Sequence, residues 1–170
     1  MKPLLIVDGY NVIGAWPDAE KNHWSFEESR DRLCHLLQDY AGYTGDEVVL
    51  VFDGYQSDRR LRTEEQAGPV KVVYTKHAET ADSYIERLVA ETPRYRQVCV
   101  ATSDGLEQSQ ILSTGATRMT SRELLRELRQ TRAAGLRTVS SRGLQAGRRL
   151  SDQLPPALMA ELERLRREKE

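Results

Sequence analysis

The sequence predicts an α/β fold: a Rossmann-like, three-layer arrangement with a central parallel sheet of about five strands flanked by helices. Three observations carry this expectation. Short apolar runs rich in Val, Ile and Leu alternate with longer stretches of helical period. Capping residues and glycines bracket those helical stretches. Acidic residues stand at or beside the points where the apolar runs end: Asp8, Asp53, Glu79, Asp82 and Asp104.

In chain order, strands are expected at Leu4 to Val7, Val48 to Phe52, Val70 to Tyr74 and Val98 to Ala101, with a weaker one at Thr117 to Met119. A helix over Phe26 to Ala41 carries Leu33, Leu36, Leu37 and Tyr40 on one face, and a helix over Ala81 to Glu91 carries Tyr84, Ile85, Leu88 and Val89. Ser103 or Asp104 starts a helix through Leu112 that stops at Gly115. Ser121 caps another through Arg132 that stops at Gly135. From Arg137 to Leu150 the run SSRGLQAGRRLS reads as a flexible basic loop. A last helix from Pro155 carries Leu158, Leu162 and Leu165. The expected division is one domain of ordinary size over 1–136 and an extension, basic loop plus terminal helix, over 137–170.

The 25 basic and 26 acidic residues nearly balance, so the total charge points to no polyanion partner. The distribution does: nine arginines lie between Arg118 and Arg149 against Glu123 and Glu127, a local +7 in a chain of net charge −1. Two cysteines, Cys34 and Cys99, are too few for a disulfide framework, which fits a reducing cytoplasm. No leader is expected ahead of the core strand LLIV, and no apolar stretch approaches membrane-spanning length.

In right-handed βαβ units the strands run parallel and their carboxyl ends meet where the strand order reverses. In the common 3-2-1-4-5 order, Asp8 and the segment leading to Asp104 flank that reversal. Asp53 follows the neighbouring strand, and Asp82 opens a helix whose dipole favours a carboxylate there. Carboxylates packed together repel one another, and they either take up protons or bind a cation. Oxygen ligands with no Cys or His among them select Mg²⁺ or Mn²⁺ over zinc. Such a site suits attack of metal-activated water on a phosphodiester. Asn11 adds an amide able to orient water or phosphate, and Thr102 or Ser103 a hydroxyl.

Each residue also has a plainer reading. Asp53 or Asp104 alone would be taken as a helix cap or turn former, and Asp8 to Asn11 as a turn. His23, His35 and His77 are not at ligand spacing and receive no role.

The motifs IVDGYNVIG, VFDGYQ, ETADSYIERL and VATSD closely resemble the NYN domain family, specifically its YacP-like branch, whose fold is similar to that of PIN-domain nucleases. The resemblance spans Leu4 to about Arg149. It implies a small cytoplasmic, metal-dependent endoribonuclease, in a branch that includes a ribosome-associated enzyme cleaving messenger RNA during translation. Carried across residue by residue, it puts the acidic triad on Asp8, Asp82 and Asp104 and the leading-motif asparagine on Asn11. Asp53 corresponds to the acid of the FDG motif, and Glu79 is an accessory acid.

The arginines support RNA binding on their own account. Arg59, Arg60 and Arg62 follow Asp53 closely enough for their guanidinium groups to reach phosphates near the metal. Arg142, Arg148 and Arg149 supply a second, salt-sensitive patch, unless that run is a solvated face. Tyr10 and Tyr55, beside site acids, could stack on a base or be structural. RNA, with messenger RNA and the ribosome as its specific forms, is the expected partner, and no organic cofactor is expected. Two rivals remain: a non-catalytic RNA- or ribosome-binding module with structural Mg²⁺, and a small phosphatase of the haloacid dehalogenase type. The latter needs a second Asp two residues after its nucleophile, where this chain has Tyr10.

Overall fold

The computed structural model describes residues 1–54, 61–103 and 115–153, and singly 157, 160, 161 and 164, with side chains of the long C-terminal helix described to 137. Six strands form one sheet: β1 (Leu4–Asp8), β2 (Glu47–Phe52), β3 (Thr63–Ala67), β4 (Val70–Tyr74), β5 (Val98–Ala101) and β6 (Thr117–Met119). Five helices are described: α1 (Gly9–Gly14), α2 (Pro17–Lys21), α3 (Phe26–Thr44), α4 (Ala81–Glu91) and α5 (Ser121–Gln153).

The sheet order is β3-β4-β2-β1-β5-β6. All pairings are parallel except the β3·β4 hairpin. Without β3 this is the 3-2-1-4-5 order expected for a doubly wound sheet, and β1 sits between β2 and β5 at the reversal. Leu4 to Val7 are buried on both sides of the sheet, as are Val48 to Phe52, because helices cover both faces. Leu5, Val7, Val48 and Leu50 pack with Val12 and Ile13 of α1, Leu33 and Leu37 of α3, and Leu124 and Leu128 of α5. Leu4, Ile6, Val49 and Val51 pack on the opposite face with Ala81, Tyr84, Ile85 and Val89 of α4.

Three features differ from expectation. The edge strand β3, TEEQA, was not foreseen because it carries no apolar alternation: three of its five residues are exposed. Polar edges of this kind resist pairing with foreign strands. Its register comes from the tight turn at Gly68, with φ 58°, and Pro69, which sets Ala67 opposite Val70. Secondly, Thr120 rather than Ser121 caps α5: its hydroxyl accepts from the Glu123 N–H at 3.1 Å, and the Glu123 carboxylate accepts from the Thr120 N–H at 2.8 Å. This is a capping box, and it frees the Ser121 hydroxyl for another use. Thirdly, α5 does not stop at Gly135, and the stretch expected as a basic loop, 137–150, is helical to Gln153. One interior glycine costs a helix only about 1 kcal/mol relative to alanine, and Ala133, Ala134, Leu136 and Arg137 around it are good helix formers.

The chain divides into two compact units, Met1–Arg132 and Ala133–Glu170. Among the described residues no helix is long and apolar enough to cross a membrane. The helix expected after Ser103 and most of the one expected from Pro155 lie outside the described residues.

Candidate active site

Asp8 is the last residue of β1 and the N-cap of α1, with only 9% of its surface exposed. Its position follows from the register: Val7 pairs with Ala101 of β5 and Asp8 with Val51 of β2. One residue beyond the Val7–Ala101 pair therefore stand Asp8 and the buried Thr102, at the reversal of strand order.

Gly9 lets α1 begin directly after Asp8 while lying close against β2. A Cβ there would lie 2.6 Å from Cδ1 of the Phe52 ring, inside van der Waals contact. Phe52 is fully buried and is itself held by Tyr10 at 5.1 Å and by the stacked Tyr74 ring at 5.5 Å. The two DG motifs thus meet physically: the glycine of the first rests on the aromatic residue preceding the second. Tyr10 also packs edge-on against Phe26, so it serves the core rather than standing clear for a base. Tyr55 lies outside the described residues.

Asn11, one turn into α1, is a structural junction. Its Oδ1 accepts from the Ser103 N–H at 2.9 Å and from the Ser121 hydroxyl at 2.7 Å. The Ser103 hydroxyl in turn accepts from the Ser121 N–H at 3.3 Å. A backbone N–H can only donate, so the carbonyl side of the Asn11 amide faces Ser103 and its NH₂ points the other way. These bonds join α1, the end of β5 and the start of α5, and Ser121, which sequence reasoning treated only as a cap, completes them.

Asp82 lies half-exposed in the first turn of α4. Thr80 caps this helix by accepting from the Ser83 N–H at 3.1 Å. Asp53, exposed past the end of β2, accepts from the Ala81 N–H at 3.3 Å, so its carboxylate fastens the β2 end to the helix that carries Asp82. Beneath them Thr75, fully buried and not anticipated from sequence, accepts from the Gly54 N–H at 2.6 Å and donates to the Glu79 carbonyl at 2.8 Å. The signal for it was a lone polar residue ending an apolar strand. Ala78 in the intervening turn takes a left-handed φ of 63°, a conformation that costs a non-glycine residue about 1 kcal/mol or more.

Glu79 and Arg62 depart from the expected roles. Glu79 is buried, and both its oxygens are taken: Arg62 donates to Oε1 at 3.0 Å and Oε2 at 2.5 Å, and Arg87 to Oε2 at 2.8 Å. Arg62 also lies over the Tyr84 ring at 4.7 Å. A carboxylate so engaged is not an open metal ligand, and Arg62 is committed to it rather than to phosphate. The Arg62 bonds, followed by those from Arg87, hold the Glu79 carboxyl at about 2, down from 4.5. A depressed carboxylate pKa contributes stability that is full above the unfolded value and lost as pH falls toward the folded one. Replacing Glu79 by Gln is therefore expected to cost on the order of 1–3 kcal/mol at pH 7 and to flatten the loss of stability between about pH 5 and pH 2. Urea unfolding across that range measures both, and a parallel pH dependence in the variant would refute the role.

Among the described residues no group of three His, Cys, Asp or Glu side chains is close enough to hold a metal ion. The third acid of the expected triad, Asp104, lies outside the described residues, as do Arg59 and Arg60. Arg142, Arg148 and Arg149 lie in α5 beyond its described side chains. The donor chemistry of Asp8 and Asp82 is oxygen only, which fits a hard divalent cation.

The chain matches the model of the YacP-like NYN domain over residues 5–167. It is 45% identical over 129 residues to the uncharacterized protein YacP of Bacillus subtilis, covering 74% of each chain. The crystal structure of Rae1 (YacP) from Bacillus subtilis superposes with a TM-score of 0.67 at 37% identity, over 98% of this chain and 95% of that one. A tryptophan-to-leucine variant of the same protein superposes with a TM-score of 0.66 at 40% identity, over 93% and 89%.

Proposed function

We infer that this chain, which belongs to the YacP-like NYN domain family, is a metal-dependent endoribonuclease that hydrolyses RNA phosphodiester bonds in the cytoplasm, with messenger RNA at the ribosome as its substrate. The observation that carries the reading is Asp8, a carboxylate at the end of the central strand where the sheet order reverses, the position at which open α/β sheets bind their ligands.

Asp8 and Asp82, with Asp104 as third member, are the residues that would hold Mg²⁺ or Mn²⁺. Bound there, such an ion would supply an activated water and offset charge developing on the leaving oxygen. The rest is done by the chain. The N-terminus of α1 opens beside Asp8, and the NH₂ group of the half-buried Asn11 can donate to a phosphate oxygen or orient water. Asp53 keeps the α4 N-terminus, and hence Asp82, against the end of β2. The Asn11–Ser103–Ser121 bonds hold the segment leading to Asp104 beside α1.

The test is incubation of the purified protein with single-stranded and with structured RNA, in Mg²⁺, in Mn²⁺ and in EDTA. Endonucleolytic products are expected with either metal and none in EDTA. Metal-dependent RNA binding without products would favour a non-catalytic binding module instead. Messenger RNA presented by the ribosome is supported by the resemblance to the ribosome-associated branch and by the arginines of α5. Neutralising Arg142, Arg148 and Arg149 is expected to reduce co-sedimentation with ribosomes and to flatten its salt dependence; unchanged sedimentation would remove that segment from the interface.

A further inference from the structure

We propose that the pocket bounded by Trp16, Trp24, Arg32, Arg129 and Arg132 binds one nucleotide unit of single-stranded RNA, as a remote subsite for the strand that enters the acidic crevice. The pocket lies between the α1–α3 segment and α5 and has a volume of about 340 Å³, within the size range of small-ligand sites.

Its chemistry is that of a base-stacking and phosphate-binding site. The Arg32 guanidinium lies 4.2 Å from the centre of the half-buried Trp24 ring, and Trp16 buttresses Trp24 edge-on at 5.2 Å. A guanidinium stacked on an indole is a preformed flat cationic platform, and flat platforms of this kind stack on bases without sequence preference. Arg129 and Arg132 are exposed and three residues apart, hence on one side of α5. Among the described residues, none of these three arginines joins an ion pair. Asp18 is the single acidic residue in the lining, so three guanidinium groups face one carboxylate.

The helix also connects this pocket to the crevice. The Ser121 hydroxyl is bonded to Asn11 at the start of α5, and Arg129 and Arg132 follow about 12 to 17 Å further along the helix axis. A strand crossing the crevice can therefore lie along α5 and be gripped again at the pocket. The proposal rests on RNA being the substrate; it does not depend on the strand being cut.

The two tryptophans of the chain are both in this pocket, so intrinsic fluorescence reports its occupancy directly. In EDTA, where the ion is withheld, titration with a short single-stranded oligouridylate is expected to quench the emission saturably. The double variant Arg129→Ala, Arg132→Ala is expected to weaken binding about tenfold and to lower the salt slope by about 1.4, the value for two contacts to a single strand. Arg129→Lys with Arg132→Lys restores most of the affinity, and Arg94→Ala, an exposed arginine elsewhere, leaves it unchanged. Arg32→Lys keeps the charge but loses the planar stack, so quenching should fall while the salt slope holds. Absence of quenching, equal quenching by inorganic polyphosphate or polyglutamate, or unchanged affinity in the double variant would each overturn the proposal. Loss of cleavage in Asp8→Asn with quenching intact would support it, whereas quenching by RNA in a protein that never cleaves would sink the nuclease reading and leave the pocket standing.

Discussion

Asp8→Asn is expected to lower RNA cleavage by on the order of a thousandfold or more while leaving the protein folded. The change is isosteric and removes one negative charge from the point where the sheet order reverses. The Asp8 side chain makes no capping hydrogen bond to α1, so the helix keeps its start, and the amide still fits the nearly buried position. Asp82→Asn is expected to behave alike. It forfeits the favourable interaction of a carboxylate with the α4 dipole, worth about 0.3–1 kcal/mol, and its half-exposed side chain adds little else to stability. Cleavage rates under saturating Mn²⁺, with thermal unfolding alongside, separate the two contributions. Rates near wild type in either variant would remove that carboxylate from the chemistry. A large loss of stability would mean that the residue serves the fold instead.

Gly9→Ala is expected to have the largest effect on stability of any single-methyl change at the site. The added Cβ would overlap Phe52, and that ring cannot swing aside because Tyr10 and Tyr74 pack against it. The remaining escape is displacement of α1, which carries Asp8 and Asn11 with it. Overpacking of this kind costs about 1–3 kcal/mol, a fall in Tm of about 2–12 °C for a chain of this size, and cleavage should fall further than stability does. Phe52→Leu makes room on the other side, so the double variant should be less unstable than the sum of the two single changes. Gly14→Ala is the control: nothing lies within 4 Å of a Cβ there, and no loss is expected. Strict additivity of the Gly9 and Phe52 changes would disprove the contact as the reason for the glycine.

The strands and their order were legible because burial on both faces forces continuous apolar runs, and such runs mark themselves against polar helices. Strands β4, β5 and β6 fall where the sequence set them, and α4 does as well. Strand β3 was not legible, since an exposed edge places no demand for apolar side chains on TEEQA. The length of α5 was misread for a related reason: glycine and serine signal a break, yet their cost is small beside the propensity of the residues around them.

At the site, sequence alone determined which residue types stand at the strand ends and that carboxylates prevail there, because a strand-end position is a local property of the chain. Only the tertiary structure decided which acids remain open. Glu79 and Asp82 are three residues apart on one segment, and nothing in that spacing says that Arg62, which leads into the neighbouring edge strand β3, closes the first and leaves the second. Likewise the asparagine of the DGYN motif could be assigned to phosphate or water from its chemistry, but its bonds to Ser103 and Ser121 come from residues about a hundred positions away. Partnership of charges and hydrogen bonds is fixed by through-space geometry, and that geometry exists only once the helices have docked on the sheet.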